Sequence, residues 1–412
     1  MADPIVIVGA GQAGAALAAK LRVLGYAGPL ALIGAEPVPP YQRPPLSKKY
    51  VSRELTFDRL LVRPASWYAE QQIDLRLDCA AVAIDPAEKT LSLSDGTRLR
   101  YVKLALTTGA RPRRLPPEIG GDLGGVFAIR TVSDADAIAP LLQPGKRLLV
   151  IGGGYIGLEA AAVAASKGLQ VTIIEVAARI LQRVAASPTA DYFRALHRKH
   201  GVAILESAAL VRLTGEAGCL TGAELQGGTH LPADLAIVGI GILPNDELAR
   251  AAGIAVDSGI VVDGQCRTSA LDIHAAGDCA RFPWRGEPTR LESVQNAIDQ
   301  AEHAAAAMLG EQRPYDPVPW FWSDQYDVKL QIAGLNRGFT DCALRPGKRE
   351  ASASVWYYRG DMLIAVDAMN DALSYGIAKK VLEAGRSIPH AIAADAGADL
   401  KLFVTSQATV AS

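Results

Sequence analysis

The chain carries two glycine-rich turns of the form G-x-G-x-x-G, and these constrain its fold more than any other feature. Such a turn joins a buried strand to a helix: the first glycine makes the turn, the second admits a phosphate and the third lets the helix pack on the sheet. The glycines are Gly9, Gly11 and Gly14 in the first turn and Gly152, Gly154 and Gly157 in the second. Two turns predict two dinucleotide-binding units.

The first turn has the sequence context that nucleotide binding requires. Residues 4–8 form a short run of mainly β-branched apolar residues, typical of a buried parallel strand. The segment "AALAAKLRVLG" then favours a helix that ends at Gly25, and the apolar run "PLALIG" leads to Glu36. Glu36 follows the turn by about 20 residues, the distance at which an acid binds the ribose hydroxyls of a dinucleotide.

The second turn repeats this order of elements. The strand "KRLLVI" precedes it, the helix "YIGLEAAAVAASK" follows with Gly168 as a stop signal, and "QVTIIE" ends at Glu175. A carboxylate at this position binds the 2′ and 3′ hydroxyls of NAD and repels the 2′-phosphate of NADP. The sequence therefore favours NADH, although Arg179 and Arg183 lie just downstream and weaken this preference.

Composition narrows the class of protein. A chain of 412 residues with 50% hydrophobic and 21% charged residues is typical of a globular protein of two or three domains. A net charge of −1 argues against nucleic-acid or anionic-membrane binding. No apolar run reaches the ~18 residues of a membrane span, and the first strand begins by residue 4, so we expect no signal peptide. We expect a cytoplasmic protein.

The cysteines and histidines predict neither a disulfide framework nor a metal site. The five cysteines are an odd number and contain no C-x-x-C, which indicates a reducing compartment. His197 and His200 have no other ligand types near them in sequence, so we interpret them as residues of a solvated helix face.

Several further segments carry a resemblance to a known family. They are "PYQRPPLSK" from Pro40, "TTGARPRRLP" from Thr107, "GIGILPN" from Gly239, "TSALDIHAAGDCA" from Thr268, "LESVQNAIDQAEHAAAAML" from Leu291 and "PWFWSDQY" from Pro319. With the two glycine turns, they make nearly the whole chain similar to the FAD-dependent NADH:ferredoxin reductases of bacterial cytochrome P450 and dioxygenase systems. Thr107 departs from this family, which has alanine at that position.

The resemblance implies particular roles. Lys48 would bind near the flavin N5 and pair with Glu159, and Tyr155 would shield the flavin until NADH enters, with packing against the sheet as the alternative for Tyr155. Trp320 would lie near the flavin ring or simply in the core. The implied cofactor-binding residues are Gly9, Gly11, Gly14, Glu36, Arg43, Lys48, Thr108, Gly109, Arg130, Gly152, Gly154, Ile156, Gly157, Glu175, Gly239, Gly241, Gly277, Asp278, Val294 and Trp320.

The expected architecture is α/β, with two Rossmann-like domains of the pyridine nucleotide-disulfide oxidoreductase type and a C-terminal α+β domain. The resemblance implies that residues 1–108 and 241–319 form the FAD domain, 109–240 an inserted NADH domain and 320–412 the C-terminal domain. Residues 70–106 alternate short strands with turns, which favours a small β-meander. The tail from Val404 has little apolar surface to bury.

The resemblance also implies the reaction. NADH would pass a hydride to FAD, which would pass single electrons to an acidic [2Fe–2S] ferredoxin that serves a P450 or similar oxygenase. Related disulfide reductases use a cysteine pair after the first nucleotide unit, but residues 36–61 contain no cysteine, and Cys279 is solitary. The alternatives are an NADH-dependent reductase of rubredoxin or a small acceptor, and a flavin-dependent interaction protein resembling apoptosis-inducing factor.

Overall fold

The computed structural model describes residues 3–405, so the predicted tail extends beyond the described part of the chain. The chain forms two compact units. The first contains the residues up to Pro45, Leu55–Arg111 and Ile242–Pro317. The second contains Leu46–Glu54, Pro112–Gly241 and the described residues from Val318 onward. Among residues 3–405, no helix is long and apolar enough to cross a membrane.

The first unit is built on a five-stranded parallel sheet. In spatial order its strands are Ile273–Ala275, Lys103–Leu106, Ile5–Val8, Leu30–Ile33 and Ile73–Arg76. Ile5–Val8 is central and fully buried because the sheet is covered on both faces, as its unbroken apolar sequence predicts.

Residues 70–106 are only partly the predicted meander. The antiparallel strands Ala81–Asp85, Thr90–Leu93 and Arg98–Arg100 form it. The flanking strands Ile73–Arg76 and Lys103–Leu106 instead belong to the parallel sheet, so the meander is an insertion between two strands of that sheet.

Two alanine-rich helices cover one face of this sheet. They are Gln12–Val23, which follows the first glycine turn, and Val294–Met308. Ala13, Ala18, Ala301 and Ala304 belong to one buried cluster, and such small side chains allow the two helices to approach closely. The shorter elements of this unit are the helices Ala65–Glu70 and Glu247–Ala251 and the strands Ile260–Val261, Ala280–Trp284 and Glu287–Thr289. Ala110–Pro112 pairs with Ile242–Pro244.

The second unit contains another five-stranded parallel sheet. Its strands, in spatial order, are Ala203–Glu206, Gln170–Glu175, Arg147–Ile151, Leu235–Val238 and Val126–Phe127. The helices are Val132–Ile138, Tyr155–Ser166 and Ser187–Lys199. A three-stranded antiparallel sheet is formed by Leu210–Glu216, Cys219–Leu225 and His230–Pro232.

The C-terminal part of the second unit is an antiparallel sheet with helices packed on it. The strand order is Trp320–Gln325, Val328–Gly334, Met362–Met369, Ala353–Arg359 and Asp341–Pro346. The helices are Ala372–Glu383, His390–Ala394 and Leu402–Thr405. These elements confirm the predicted fold class of two Rossmann-like regions and a C-terminal α+β domain.

Asp367 joins this C-terminal sheet to the helix Ser187–Lys199 within the second unit. Its carboxyl group is fully buried and accepts hydrogen bonds from the hydroxyls of Thr189, at 2.8 Å, and Tyr357. Burial raises the pKa of Asp367 from 3.8 to about 6, and the two hydrogen bonds oppose this shift.

We expect the free energy of unfolding of the Asp367→Asn variant to increase, relative to that of the wild type, as the pH rises. The folded wild type holds a proton on Asp367 that the unfolded chain has lost, so its stability falls between pH 3.8 and about 6. Asparagine has no such dependence, and its advantage should grow by about 3 kcal/mol across this interval. Urea denaturation at pH 4.5, 6 and 7.5 measures the effect. The exposed Asp361→Asn is the control, and a difference independent of pH would contradict the buried charge.

Candidate functional site

The first glycine turn has the geometry of a phosphate cradle. Gly9 has a φ of +112°, and a Cβ there would lie 2.2 Å from the carbonyl oxygen of Thr107. A Cβ on Gly14 would lie 2.0 Å from the carbonyl oxygen of Gly9, whereas one on Gly11 would meet nothing within 4 Å. Gly9 and Gly14 are thus required by packing, whereas the space beside Gly11 at the start of the helix is open and could hold a phosphate.

Glu36 is held in a fixed position beyond the strand Leu30–Ile33. Its carboxylate accepts a hydrogen bond of 2.6 Å from the Tyr41 hydroxyl and pairs with Arg43 at 2.5 Å. Arg43 also donates to the Tyr41 hydroxyl at 3.1 Å. The structure therefore brings the predicted residues Glu36 and Arg43 together, and it adds Tyr41, which sequence reasoning did not single out.

Two segments of the first unit, one containing Thr108 and Gly109 and the other containing Asn245, are joined by hydrogen bonds. The Thr108 hydroxyl donates to the carbonyl of Asn245 at 2.6 Å, and the Asn245 side-chain amide donates back to the carbonyl of Thr108 at 2.8 Å. The backbone N–H of Asn245 donates to the carbonyl of Gly109 at 2.9 Å. Asn245 ends the quoted "GIGILPN" segment, but its hydrogen bonds to Thr108 and Gly109 were not predicted.

Gly277 and Asp278 follow the strand Ile273–Ala275. Gly277 has a φ of +84°, and its N–H donates to the buried side chain of Gln300 at 2.8 Å. The Asp278 carbonyl accepts a 2.9 Å hydrogen bond from Arg290. Val294 begins the helix that contains Gln300, and Ser293 caps it by accepting from the N–H of Asn296. Gln300 is a second residue that sequence reasoning missed.

The second glycine turn repeats the first within its own unit. Gly152 has a φ of +107°, and a Cβ there would lie 2.5 Å from the carbonyl oxygen of Gly239. A Cβ on Gly157 would lie 2.2 Å from the carbonyl oxygen of Gly152, but one on Gly154 would meet nothing within 4 Å. Gly152 and Gly157 are thus required by packing, whereas the space beside Gly154 is open and could hold a phosphate.

Glu175 is hydrogen-bonded to the backbone of the second glycine turn. Its carboxylate accepts hydrogen bonds from the N–H of Gly153 at 2.7 Å and the N–H of Ala177 at 2.8 Å. These bonds fix the carboxylate at the end of the strand Gln170–Glu175, where the ribose of a dinucleotide would bind.

The remaining predicted residues of the second unit differ in their surroundings. Ile156 is 49% exposed, and Gly241 has a φ of +101°. The N–H of Arg130 donates to Asp134 at 3.0 Å, just before the helix Val132–Ile138. The Trp320 ring is partly exposed and has the Lys379 ammonium 5.2 Å from its centroid.

Tyr155 begins the helix after the second turn. Its ring is partly exposed and lies 5.0 Å, between centroids, from that of Phe321, whereas its hydroxyl is buried. Burial raises the pKa of Tyr155, and nearby Asp367 and Tyr357 raise it further. The hydroxyl therefore stays protonated near neutral pH.

Lys48 and Glu159 form the most buried ion pair of the predicted residues. The Lys48 ammonium lies 3.1 Å from the Glu159 carboxylate, with side chains 15% and 7% exposed, respectively. Glu159 also accepts hydrogen bonds from Ser47 at 2.8 Å and Ser323 at 2.7 Å. Burial raises the pKa of Glu159, while Lys48 and the two serines oppose this. Asp324 contacts Lys48 at 3.3 Å from the more exposed side.

The cysteines lack the properties of a redox pair. All five lie within the described residues and none forms a disulfide. Cys266 and Cys279 are fully buried, and burial raises the pKa of both thiols. A thiol acts as a nucleophile through its thiolate, so these two are poorly suited to redox chemistry. Across residues 3–405, no group of ligand side chains is arranged to hold a metal ion.

The prediction for His197 is wrong. His200 is exposed as expected, but His197 is fully buried, and its Nε2 lies 2.8 Å from the side-chain oxygen of Gln325. The helix Ser187–Lys199 turns this residue toward the C-terminal sheet, and sequence alone gave no reason to expect a polar partner there.

Most of the chain is similar to known proteins. Residues 3–301 match the model of the pyridine nucleotide-disulphide oxidoreductases, and residues 320–404 match that of the reductase C-terminal domain. The chain is 44% identical to a ferredoxin–NAD(P)(+) reductase of a Sphingomonas species, over 92% of each chain. It is 39% identical to a rubredoxin–NAD(+) reductase of Pseudomonas putida, over 89% of this chain and 95% of that one. A crystal structure of a covalent putidaredoxin reductase–putidaredoxin complex matches with a TM-score of 0.94 at 39% identity, over 98% of both chains.

Proposed function

The chain belongs to the pyridine nucleotide-disulphide oxidoreductase family, and from this premise we propose that it is an FAD-dependent NADH:ferredoxin reductase. The family is one of oxidoreductases that use a flavin and a nicotinamide dinucleotide. The observation that carries the proposal is the pair of phosphate cradles, at Gly11 and Gly154, each accompanied by a carboxylate at Glu36 or Glu175. When bound, FAD converts the two-electron hydride chemistry of NADH into single-electron transfer.

Each cradle is assigned one cofactor. The first turn, with Glu36, Arg43 and Thr108, would hold FAD, and the second, with Glu175, would hold NADH. The assignment divides the chain as the resemblance implies, with residues 1–108 and 241–319 binding FAD, 109–240 binding NADH and 320–412 forming the C-terminal domain. The pairing of the strand Ile273–Ala275 with Lys103–Leu106 supports a discontinuous first domain.

Lys48, Glu159 and Tyr155 are the residues we assign to the reaction. The Lys48 ammonium would donate a hydrogen bond to the flavin ring, and Glu159, fixed by two serines, would hold that ammonium in position. The Tyr155 ring, packed on Phe321, would exclude water until nicotinamide replaces it. None of these groups acts as a nucleophile; they orient and shield.

The electron acceptor in this proposal is a separate protein. The buried thiols of Cys266 and Cys279 offer no relay, so single electrons would leave to a carrier. A [2Fe–2S] ferredoxin that feeds a P450 or similar oxygenase is the carrier we propose, since the relatives named for ferredoxin and the putidaredoxin complex support it. Such a ferredoxin is expected to be acidic, and the whole system is expected to be cytoplasmic.

The proposal is tested with the purified protein. NADH added anaerobically should bleach a yellow flavin, and steady turnover should require an added [2Fe–2S] ferredoxin. A colourless protein that takes up no FAD would contradict the cofactor assignment.

Rubredoxin reduction is the second candidate function, because the Pseudomonas putida relative is named for it. Parallel assays with a [2Fe–2S] ferredoxin and a rubredoxin separate the two. Fast rubredoxin reduction with little turnover of any ferredoxin would establish the second candidate in place of the first.

Replacing Glu175 tests the choice of NADH. We expect Glu175→Ala to weaken use of NADH and to raise the kcat/KM for NADPH relative to that for NADH by on the order of tenfold, because a ribose hydrogen bond is lost and a repulsive charge is removed. Steady-state assays with both nucleotides measure the ratio. The exposed Glu216→Ala is the control and should leave it unchanged, and a Glu175→Ala ratio equal to that of the control would contradict the assignment.

A further inference from the structure

A continuous row of buried polar side chains leads away from Glu159 inside the second unit. Ser323 and Gln325 stand two residues apart on the strand Trp320–Gln325, so they lie on the same face of the C-terminal sheet. Ser323, Gln325 and His197 are each fully buried. Tyr326 lies at the far end, and we call Ser323, Gln325, His197 and Tyr326 the Glu159 chain.

Working outward from Glu159 fixes the direction of each hydrogen bond. An ionised carboxylate only accepts, so Ser323 donates its single proton to Glu159 at 2.7 Å. The Ser323 oxygen is then free to accept from the Gln325 amide nitrogen, which lies 3.2 Å away. That leaves the amide oxygen of Gln325 facing His197.

The hydrogen bond to Gln325 fixes the tautomer of His197. An amide oxygen only accepts, so the His197 Nε2 at 2.8 Å must carry the proton. The Nδ1 then accepts from the Tyr326 hydroxyl, 3.2 Å away. Burial lowers the pKa of His197 to about 4, although its bond to Gln325 opposes this, so the ring is neutral near neutral pH. All four donors therefore point toward Glu159.

Charged and titratable groups stand at both ends of the Glu159 chain. Lys48, from the segment Leu46–Glu54, faces Glu159, and Asp324 faces Lys48 from the more exposed side. His200, on the same helix as His197, stacks on the Tyr326 ring with centroids 3.7 Å apart. Hydrogen bonds aligned in one direction polarise one another, so the distant members stabilise the negative charge as well as the near ones.

We propose that the Glu159 chain is a positioning device that keeps Glu159 ionised, and so keeps Lys48 in place, and that it couples the ionisation of Glu159 to the tautomer of His197. This inference rests on the proposed roles of Lys48 and Glu159 in flavin reduction. If Glu159 takes up a proton and donates it to Ser323, the order reverses: Ser323 donates to Gln325, the amide turns over, and His197 carries its proton on Nδ1.

The tautomer of His197 is measurable without turnover. In holoprotein labelled with ¹⁵N-histidine, we expect the His197 signals of a neutral ring protonated on Nε2 at pH 7.5. His197→Gln assigns these signals by removing them. A ring protonated on Nδ1, or a charged imidazolium, at this pH would overturn the proposal.

Kinetics test whether the chain acts on Glu159. Leucine at position 197 removes the N–H donor, whereas glutamine places an amide N–H close to the position of Nε2. In stopped-flow reduction of the flavin by NADH, we expect His197→Leu to move the acid limb of the pH profile to higher pH by up to about one unit, because the freed Gln325 amide turns over and accepts the Ser323 proton, which costs Glu159 one hydrogen bond. His197→Gln should restore most of the wild-type profile, and the exposed His230→Gln, in the antiparallel sheet of the second unit, is the control, expected to match the wild type.

Other outcomes separate this inference from the proposed function. If NADH fails to reduce the wild-type flavin, the proposed function is wrong, while the NMR result still decides the structure of the chain. If reduction is normal and the His197→Leu profile does not move, the inference is wrong. Should His197→Leu not fold, Tyr326→Phe keeps the stacked ring and removes only the last donor. A smaller shift in the same direction is then expected, and no shift would contradict the proposal.

Discussion

Gly154→Ala should leave the second unit folded and yet weaken NADH binding by on the order of 100-fold, which corresponds to about 2.7 kcal/mol. An added Cβ meets no protein atom within 4 Å, and the backbone at Gly154, with a φ of −82°, suits any residue. The methyl group would instead occupy the space through which the pyrophosphate approaches the start of the helix. Fluorescence titration with NAD, together with circular dichroism, measures both parts of this expectation.

Gly157→Ala is the matched variant and should behave in the opposite way. Its Cβ would lie 2.2 Å from the carbonyl oxygen of Gly152, so the helix must move away from the turn. Overpacking of this kind costs about 1–3 kcal/mol, which the better helix propensity of alanine offsets only in part. A lower unfolding temperature is the expected sign. Equal nucleotide affinities for Gly154→Ala and the wild type would contradict the phosphate assignment.

Lys48→Met should destabilise the protein far more than the loss of an ordinary surface pair. It leaves Glu159, only 7% exposed, without its cation, and breaking a buried pair from one side costs about 3–5 kcal/mol. Glu159→Gln should cost less, because Lys48 keeps Asp324 as a partner at 3.3 Å. The double variant should recover part of the stability lost in Lys48→Met, since no unpaired charge remains. Thermal unfolding of the four proteins completes the cycle.

The pH dependence of Lys48→Met provides a further check. Without Lys48, the folded pKa of Glu159 rises further above its unfolded value of 4.5. The variant should therefore approach wild-type stability below pH 4.5 and lose it as the pH rises through the folded pKa. Lys20→Met, which breaks the more exposed pair of Lys20 with Glu302, is the control and should cost about 0–1 kcal/mol. Equal losses in the two lysine variants would show that the Lys48–Glu159 pair has no special weight.

The sequence was sufficient for the elements whose constraints are local. The strand before the second turn was predicted as "KRLLVI" and spans Arg147–Ile151, and the next strand spans Gln170–Glu175 as predicted. Glycine turns and apolar runs fix such elements within a few neighbouring residues. Lys103–Leu106 was assigned to the meander, although its consecutive buried residues Leu104, Ala105 and Leu106 are typical of a strand covered on both faces. The strand Ile73–Arg76 alternates apolar and charged residues, and nothing in its own sequence indicates that it forms the edge of the parallel sheet.

The site was predictable only where a motif or a family pattern named its residues. The Lys48–Glu159 pair came from the resemblance, and the structure places these two side chains in contact. Gln325, Gln300 and Asn245 belong to no pattern, because their partners lie far away in sequence and become neighbours only through tertiary packing. His197 shows the same limit, since helical periodicity gives its face but not the buried amide that meets it.

The alanine-rich contact between Gln12–Val23 and Val294–Met308 has a consequence for biosynthesis. On the ribosome, the nascent chain exposes the first of these helices long before the second has been translated. The strand Ile273–Ala275 also arrives late, so the first Rossmann core stays incomplete while the second glycine turn and its sheet emerge. We expect the inserted segment Pro112–Gly241 to fold first, and we expect flavin to bind only after translation has passed Met308.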